Sequence, residues 1–230
     1  MRNLAELTSI TQVKEFWDGH PCLPNEDVRA RNSRFGRELT FLFRNFPSDA
    51  CVMDVGCGTG FDPINYSSWG AKTVVGLDLS LDSLRIARRR SNSQRVHWVL
   101  GDAEHLPFAE GSFEFVSAIG SLHHTPNTEE SVSEIYRVLK ANGKTAVMLY
   151  NKAYLTLYRR TIGEASYDEG APIVKFYTKD DVRRIFGKFR VEAIRVLGGL
   201  PLRTRILPRL LGPLLERHFG WAHYMQARKV

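Results

Sequence analysis

Short apolar runs alternate with amphipathic segments from residue 50 onward. The runs are rich in strand-forming residues, whereas the segments between them space their apolar residues three or four positions apart. This alternation is typical of βαβ units and predicts an α/β fold with a parallel sheet. The predicted strands are 51–55, 73–78, 96–100, 113–119 and 144–150, and apolar runs at 189–197 and 219–229 are candidates for two more.

Capping residues mark three of the helices between and after these strands. Ser80 can cap a helix whose apolar face carries Leu84, and Asp82 is favourable in its first turn. Thr178 and Asp181 have the spacing of a capping box. A further helix opens at Thr128-Glu129-Glu130, has the apolar residues Val132, Ile135, Tyr136 and Leu139, and is predicted to end at Asn142-Gly143.

Two regions fall outside this alternation. Residues 1–49 are predicted to be helical and to form an N-terminal lid, with Phe16-Trp17 followed by Pro21 and Pro24. Residues 151–175 break the pattern in the way an insertion above a sheet edge does. We therefore expect the lid and the insertion to enclose a site on the residue 50–230 domain, with 151–175 forming part of the substrate pocket.

The first predicted strand ends in a glycine loop, Val52-Met53-Asp54-Val55-Gly56-Cys57-Gly58-Thr59-Gly60. Glycines allow backbone angles that are closed to other residues, and they let a ligand approach the main chain closely. The second strand ends at Asp78, where a carboxylate can accept both hydroxyls of a ribose. Together these features predict one half of a nucleotide-type cofactor site.

Four segments in this order resemble the class I S-adenosylmethionine-dependent methyltransferases, and in particular their small-molecule branch with the ubiquinone/menaquinone-biosynthesis enzymes. After the glycine loop come Gly101–Phe108, Ser121–His124 and Glu134–Lys140. The resemblance covers roughly residues 50–150. It implies a Rossmann-like, seven-stranded, mostly parallel sheet with helices on both faces, an antiparallel last strand and an N-terminal helical cover. It also implies S-adenosylmethionine as cofactor and S-adenosylhomocysteine as product.

The resemblance assigns roles to individual residues. Gly56 and Gly58 would hold the methionine part of the cofactor, Asp54 its amino group and Asp78 its ribose. The remaining expected cofactor residues are Leu79, Asp102, Ala103 and Ile119, of which Asp102 and Ala103 would bind the adenine amine and Leu79 would pack on the ring. His123 and His124 follow the fourth strand, where the family binds its acceptor, and either could act as a base. No metal site is expected, because adjacent histidines do not easily ligate one ion.

Composition narrows the partners only partly. The net charge of +7 permits an anionic substrate, nucleic acid or a membrane surface. An Asp/Asn-Pro-Pro-Tyr segment after the fourth strand, typical of amino-DNA methyltransferases, is missing, so DNA is not expected. The Leu- and Pro-rich stretch 197–215 favours a packed connector over a membrane contact. Three cysteines and the lack of a long apolar run suggest a cytoplasmic protein.

The sequence therefore favours a methyltransferase acting on oxygen, nitrogen or carbon of a small metabolite. An RNA-directed methyltransferase and a non-catalytic cofactor-binding module remain the alternatives. Neither the acceptor nor the oligomeric state is indicated by the chain.

Overall fold

The structure is a computed structural model that describes residues 9–43, 46–162, 170–198 and 212–230. Its centre is a seven-stranded sheet in the order β3-β2-β1-β4-β5-β7-β6. Only β7 runs antiparallel to its neighbours, β5 and β6, and every other neighbouring pair is parallel. The strands are β1 Cys51–Val55, β2 Thr73–Asp78, β3 Val96–Leu100, β4 Phe113–Ile119, β5 Leu139–Tyr150, β6 Phe189–Leu197 and β7 Ala222–Lys229. The predicted fold is confirmed.

Helices cover both faces of this sheet, and the N-terminal helices come before its first strand. They are α1 Ile10–Gly19, α2 Val28–Arg34, α3 Gly36–Leu42, α4 Phe61–Ser68, α5 Leu81–Arg90, α6 Thr128–Val138, α7 Lys152–Ile162, α8 Lys179–Ile185 and α9 Gly212–Phe219. The side chain of Ser80 accepts a hydrogen bond from the Ser83 N–H at the start of α5. Thr178 and Asp181 form a reciprocal capping box at α8. Both caps were predicted.

The sheet separates two apolar layers, because successive residues of a strand point to opposite faces. Met53 and Val55 pack with α6 residues such as Ile135 on one face. Val52 packs with Tyr66 of α4 and Leu42 of α3 on the other face. Part of the N-terminal segment therefore belongs to the core, in addition to the predicted covering role of residues 1–49.

The boundary between α6 and β5 differs from the sequence prediction. The helix ends at Val138, and Leu139 already pairs with Phe113 of β4, whereas Lys144 pairs with Phe115. The extra residues form a bulge in which Asn142 has a φ of 61°. Leu139 is fully buried in the sheet core, so its apolar character serves the strand and not the helix. Asn142-Gly143 marks a bulge inside a strand here and not a helix end.

Two further predictions concern the C-terminal part. Strand β7 begins at Ala222, three residues later than predicted, because Phe219 still belongs to α9. Most of the stretch 197–215 lies outside the described residues. Within the parts of the chain that the structure describes, no helix is long and apolar enough to cross a membrane.

Candidate functional site

The loop after β1 is held against the end of β2 by main-chain hydrogen bonds. The N–H groups of Gly56 and Cys57 both donate to the Leu77 carbonyl, at 2.7 and 3.0 Å. Gly56 has a φ of 71°, and a Cβ there would lie 2.2 Å from the Cβ of Ser121. Glycine is therefore required at position 56 both by the backbone angle and by the close approach of the loop after β4.

Asp78 lies at the carboxyl end of β2 and is buried against this loop. Its two oxygens accept hydrogen bonds from the N–H groups of Gly58 at 2.7 Å and Ser80 at 2.8 Å. Burial raises the pKa of Asp78 above its usual range, and these backbone bonds counteract the rise only in part. A carboxylate in this state gains from further hydroxyl donors, because such bonds favour its charged form.

Asp78 opens into a cavity at the carboxyl ends of the strands. Six of the predicted cofactor residues line it, namely Gly56, Gly58, Asp78, Leu79, Asp102 and Ala103. The sequence had only suggested a lid here, but Ile10, Val13 and Trp17 of α1 form part of the wall.

Asp54 and Ile119, the other two predicted cofactor residues, line a second cavity. The two cavities share five lining residues, Cys22, Gly56, Gly58, Gly120 and Tyr150, and therefore adjoin at the glycine loop. The predicted residues are thus divided between two adjoining spaces whose boundary the glycine loop forms.

Asp54 is buried at the end of β1 in a network of polar side chains. Ser117 donates a hydrogen bond of 2.6 Å to its carboxylate, and the Tyr66 hydroxyl donates to Ser117 at 2.7 Å. Burial raises the pKa of Asp54 well above its usual range, and the negative charge of Asp62 adds to the rise. A cationic group placed beside Asp54 would reverse this effect by favouring the charged carboxylate.

The second cavity has walls that no motif in the sequence predicted. Arg31 of α2 is buried in it and forms a bidentate ion pair with Asp62 of α4, at 2.6 and 2.7 Å. The remaining wall is largely apolar and aromatic, with Phe35, Leu39, Leu42, Phe61, Met148, Trp221 and Tyr224. These residues come from the N-terminal helices, α4, β5 and the β7 end, so only the folded chain brings them together.

The two histidines that were expected to be catalytic lie in different surroundings. His124 lines the first cavity, where its ring stands edge-on to Trp17, and its Nδ1 atom is 2.7 Å from the Ile173 carbonyl oxygen. His123 is fully buried, stacks on Tyr150 and lines neither of the two cavities. Burial lowers the pKa of His123 well below its usual range, so its ring is neutral near pH 7. This position argues against a catalytic role for His123.

The segment 151–175 contains α7, and its residues 163–169 lie outside the described residues. The Lys175 N–H donates to the His123 carbonyl at 2.9 Å, so the end of the segment is fixed to the loop after β4. None of the described residues of this segment lines either cavity. A part for it in the substrate pocket stays a prediction.

Among the described residues, no three His, Cys, Asp or Glu side chains cluster in a way that could hold a metal ion.

Comparison with known proteins bears on the cofactor. Residues 53–147 match the family model described as a methyltransferase domain. These are the residues that carry the glycine loop, Asp78 and Asp102. The chain carries a class I S-adenosylmethionine-dependent methyltransferase domain. The cofactor of such a domain is S-adenosylmethionine, and the corresponding product is S-adenosylhomocysteine.

Relatives of this methyltransferase domain are similar over part of their length. The chain is 38% identical over 100 residues to methyltransferase GfsG of Streptomyces halstedii, which covers 42% of this chain and 36% of that protein. It is 30% identical over 141 residues to a demethylmenaquinone methyltransferase of Oceanobacillus iheyensis, covering 59% of each. The chain thus spans less than two thirds of either relative.

A solved structure shares the fold of the methyltransferase domain and its flanking helices. This is the structure of a complex between the Trm112 methyltransferase activator of Haloferax volcanii and a putative methyltransferase. Its TM-score is 0.72 over 96% of this chain and 97% of that chain, at 16% identity. At this identity the likeness shows the fold alone.

Proposed function

We propose that the protein transfers a methyl group from S-adenosylmethionine to an oxygen, nitrogen or carbon atom of a small metabolite. The observation that carries the proposal is the pair of adjoining cavities. One cavity is lined by polar and apolar groups that suit an adenosine. The other has aromatic walls and is covered by the N-terminal helices. A recessed space with apolar and aromatic walls suits a small molecule better than a polymer.

We assign the cofactor residues by their chemistry. Asp78 binds the ribose hydroxyls, and Asp102 and Ala103 bind the adenine amine while Leu79 contacts the ring. Asp54 binds the amino group, whose positive charge suits a buried carboxylate with a raised pKa. Gly56 and Gly58 hold the methionine part at the junction of the two cavities, and Ile119 contacts it from β4.

The cofactor supplies an electrophilic methyl group on a positively charged sulfur. The chain's own contribution is to orient both reactants and to exclude water, which is the main requirement of an in-line displacement. The position of α1 to α3 along the walls of the two cavities supports this role. His124 faces the first cavity and stays a proposed base for acceptors that must lose a proton.

Two observations support a small-molecule acceptor. The relatives include a demethylmenaquinone methyltransferase, and apolar and aromatic side chains form most of the wall of the second cavity around its charged groups. The RNA-directed alternative rests on the net charge of +7, and the non-catalytic module rests on the lack of a clear catalytic base. A cytoplasmic location is proposed from the sparse, unpaired cysteines.

The cofactor site is tested by titrating S-adenosylhomocysteine into the wild type and into Asp78→Asn. Loss of two hydrogen bonds to a charged group is expected to weaken binding by about a hundredfold. Asp82→Asn is the matched control, because Asp82 is partly exposed on α5 and pairs with Arg85. Absence of binding to the wild type would refute the proposal.

The activity is tested by release of S-adenosylhomocysteine in the presence of fractionated metabolites. Turnover that requires Asp78 is expected with at least one small-molecule fraction. Cofactor binding without turnover in any fraction would favour the non-catalytic module. Binding of RNA that weakens steeply with salt, together with RNA-dependent turnover, would favour the RNA-directed enzyme.

A further inference from the structure

The second cavity contains a carboxylate that the cofactor does not account for. Glu38 lies on α3 and lines the cavity together with Phe35, Trp221 and Tyr224. Its side chain is only 9% exposed. A charged group at this depth is costly unless a partner compensates for the lost water.

The Glu38 carboxylate accepts no hydrogen bond from any residue that the structure describes, and its one ion pair among them, with Arg37, is long. The cations around it are committed elsewhere. Arg31 is paired with Asp62, and Arg37 donates to Glu216 at 2.5 and 3.3 Å. The distance from the Arg37 guanidinium to the Glu38 carboxylate is 4.0 Å, too long for a hydrogen bond. The carboxylate therefore retains its capacity to accept hydrogen bonds from a molecule in the cavity.

The charge of the cavity restricts what that molecule can be. Asp62 is paired with Arg31, and Asp54 is assigned to the amino group of the cofactor, so Glu38 is the acidic lining residue, among those described, that is left to face the acceptor. An acceptor with a carboxylate or phosphate would add a like charge to a buried acidic site, which is unfavourable. A neutral hydroxyl or amino group would instead donate a charge-assisted hydrogen bond to Glu38.

We infer that Glu38 binds the proton-bearing atom of the methyl acceptor, and that this acceptor is an uncharged alcohol, phenol or amine with an aromatic or otherwise apolar body. The apolar body would pack on Phe35, Leu39, Met148 and Trp221. Anionic acceptors are excluded by the same carboxylate. This inference rests on the proposed function, because it places the acceptor in the cavity that adjoins the cofactor site.

The test measures binding of three matched probes to the protein loaded with S-adenosylhomocysteine. The probes are 2-naphthol, 2-naphthylamine and 2-naphthoate, which share one aromatic body and differ in the polar group. The wild type is expected to bind the naphthol or the amine at least about tenfold more tightly than the carboxylate. Glu38→Gln removes the charge and is expected to reduce that ratio to about threefold or less.

Glu38→Leu also removes the hydrogen-bond acceptor and is expected to abolish the preference. Glu192→Gln is the control, because Glu192 is an exposed residue of β6 that pairs with Arg228 outside the cavity. It should leave the ratio at the wild-type value. The affinity for S-adenosylhomocysteine, measured in all four proteins, reports whether each variant is folded with an intact cofactor site.

The outcomes separate the two claims. If S-adenosylhomocysteine does not bind the wild type, the proposed function fails and this inference fails with it. If the cofactor product binds normally, three results would overturn the assignment of Glu38 alone. These are tighter or equal binding of the naphthoate, a ratio that the Glu38 variants do not change, and no binding of either donor probe.

Discussion

His123 and His124 are neighbours in the chain but have different physical environments. His124 reaches the wall of the first cavity, whereas His123 lies in the core with neither ring nitrogen hydrogen-bonded to any described residue. Unpaired buried polar atoms of this kind cost roughly 1–3 kcal/mol each by desolvation. Replacing one or the other residue is thus expected to have different effects, and replacing His123 should change the stability of the fold.

Replacing His123 by Leu is expected to change how stability depends on pH. Burial lowers the pKa of His123 in the folded state, whereas the unfolded chain titrates near its usual value of about 6.5. Below that pH the unfolded state takes up a proton that the folded state does not, so the free energy of unfolding falls as the pH is lowered. The Leu variant lacks this loss. As the pH is lowered from about 7.5 to 5.5, the free energy of unfolding of the Leu variant should therefore rise by about 1 kcal/mol relative to that of the wild type.

Urea denaturation at the two pH values measures this difference. His97→Leu is the matched control, because His97 is an exposed residue of β3. If both variants showed the same pH dependence as the wild type, His123 would not be a buried neutral group. Comparing variants is necessary because Asp54 and Asp78 have raised pKa values, which make the wild type's stability change with pH in the opposite direction.

Some residues of the site were predictable from sequence and others were not, for a physical reason. Asp54, Asp78 and Asp102 each lie at or just after the carboxyl end of a strand, so a local pattern locates them. Glu38 and Arg31 lie on helices without a recognisable motif, and their place in the second cavity depends on how α2 and α3 pack on the sheet. Such long-range placement leaves no mark in local periodicity.

Hydrogen bonds join helix α5 to the N-terminal segment at both ends of the helix. At its start, Ser80 donates to the Trp17 carbonyl at 3.0 Å, and Asp18 accepts from the Leu81 N–H at 2.9 Å. At its end, Arg90 donates to three carbonyls of residues 23–26, at 2.7 to 3.0 Å, and to the Thr59 carbonyl. One helix therefore fixes the cover over the cofactor cavity.

Replacing Arg90 by Met is expected to loosen the segment 20–27 while leaving the sheet intact. Four carbonyl partners lose a charged donor, which should destabilise the segment by about 2 kcal/mol. Because Cys22 lines both cavities, the affinity for S-adenosylhomocysteine should fall by at least about fivefold. Hydrogen exchange of the amides of residues 20–27 measures the loosening directly.

Arg89→Met is the control for this experiment, since Arg89 is exposed on the same turn of α5. Faster exchange in both variants would indicate a general weakening of α5, and unchanged exchange in Arg90→Met would contradict the proposed anchoring. Arg88, Arg89 and Arg90 form one continuous basic run in the sequence. The structure separates Arg90 from that run because its guanidinium lies over the Phe61 ring, 4.4 Å from the centroid.

At the scale of whole elements, sequence periodicity located strands more accurately than helix ends. The first four strands have the predicted bounds because their apolar runs are short and most of their ends are marked by glycine or polar residues. The end of α6 was misplaced because Leu139 continues the helical spacing while being fully buried in β5. Asn-Gly is compatible with both a helix end and a strand bulge, so only the pairing with β4 decides between them.

Across the whole molecule, net charge does not report on the site. The chain carries a charge of +7, yet the second cavity has three acidic residues and one basic residue among the described residues that line it. The overall charge governs solubility and non-specific association, whereas the acceptor meets the local field of a low-dielectric cavity. The RNA-directed alternative, which rests on the overall charge, gains no support from the cavity.

Cofactor binding is expected to stabilise the molecule as one unit. The first cavity is lined from α1 at Ile10 to the end of β5 at Tyr150, so a bound molecule contacts the cover and the sheet together. At a free concentration of S-adenosylhomocysteine a hundred times its Kd, stabilisation should be about 2.7 kcal/mol. For a chain of this length that corresponds to a rise in Tm of roughly 5–10 °C.

Differential scanning calorimetry with and without S-adenosylhomocysteine measures this rise. The expected result is a single transition that moves to higher temperature as one peak. NAD at the same concentration is the control ligand, since it shares the adenosine but lacks the amino acid part that Asp54 would bind. Two separate transitions, of which only one moves, would show that the N-terminal helices and the sheet unfold independently. In that case the N-terminal helices would not be part of the cofactor site, and their contacts in the first cavity would contribute nothing to the binding free energy.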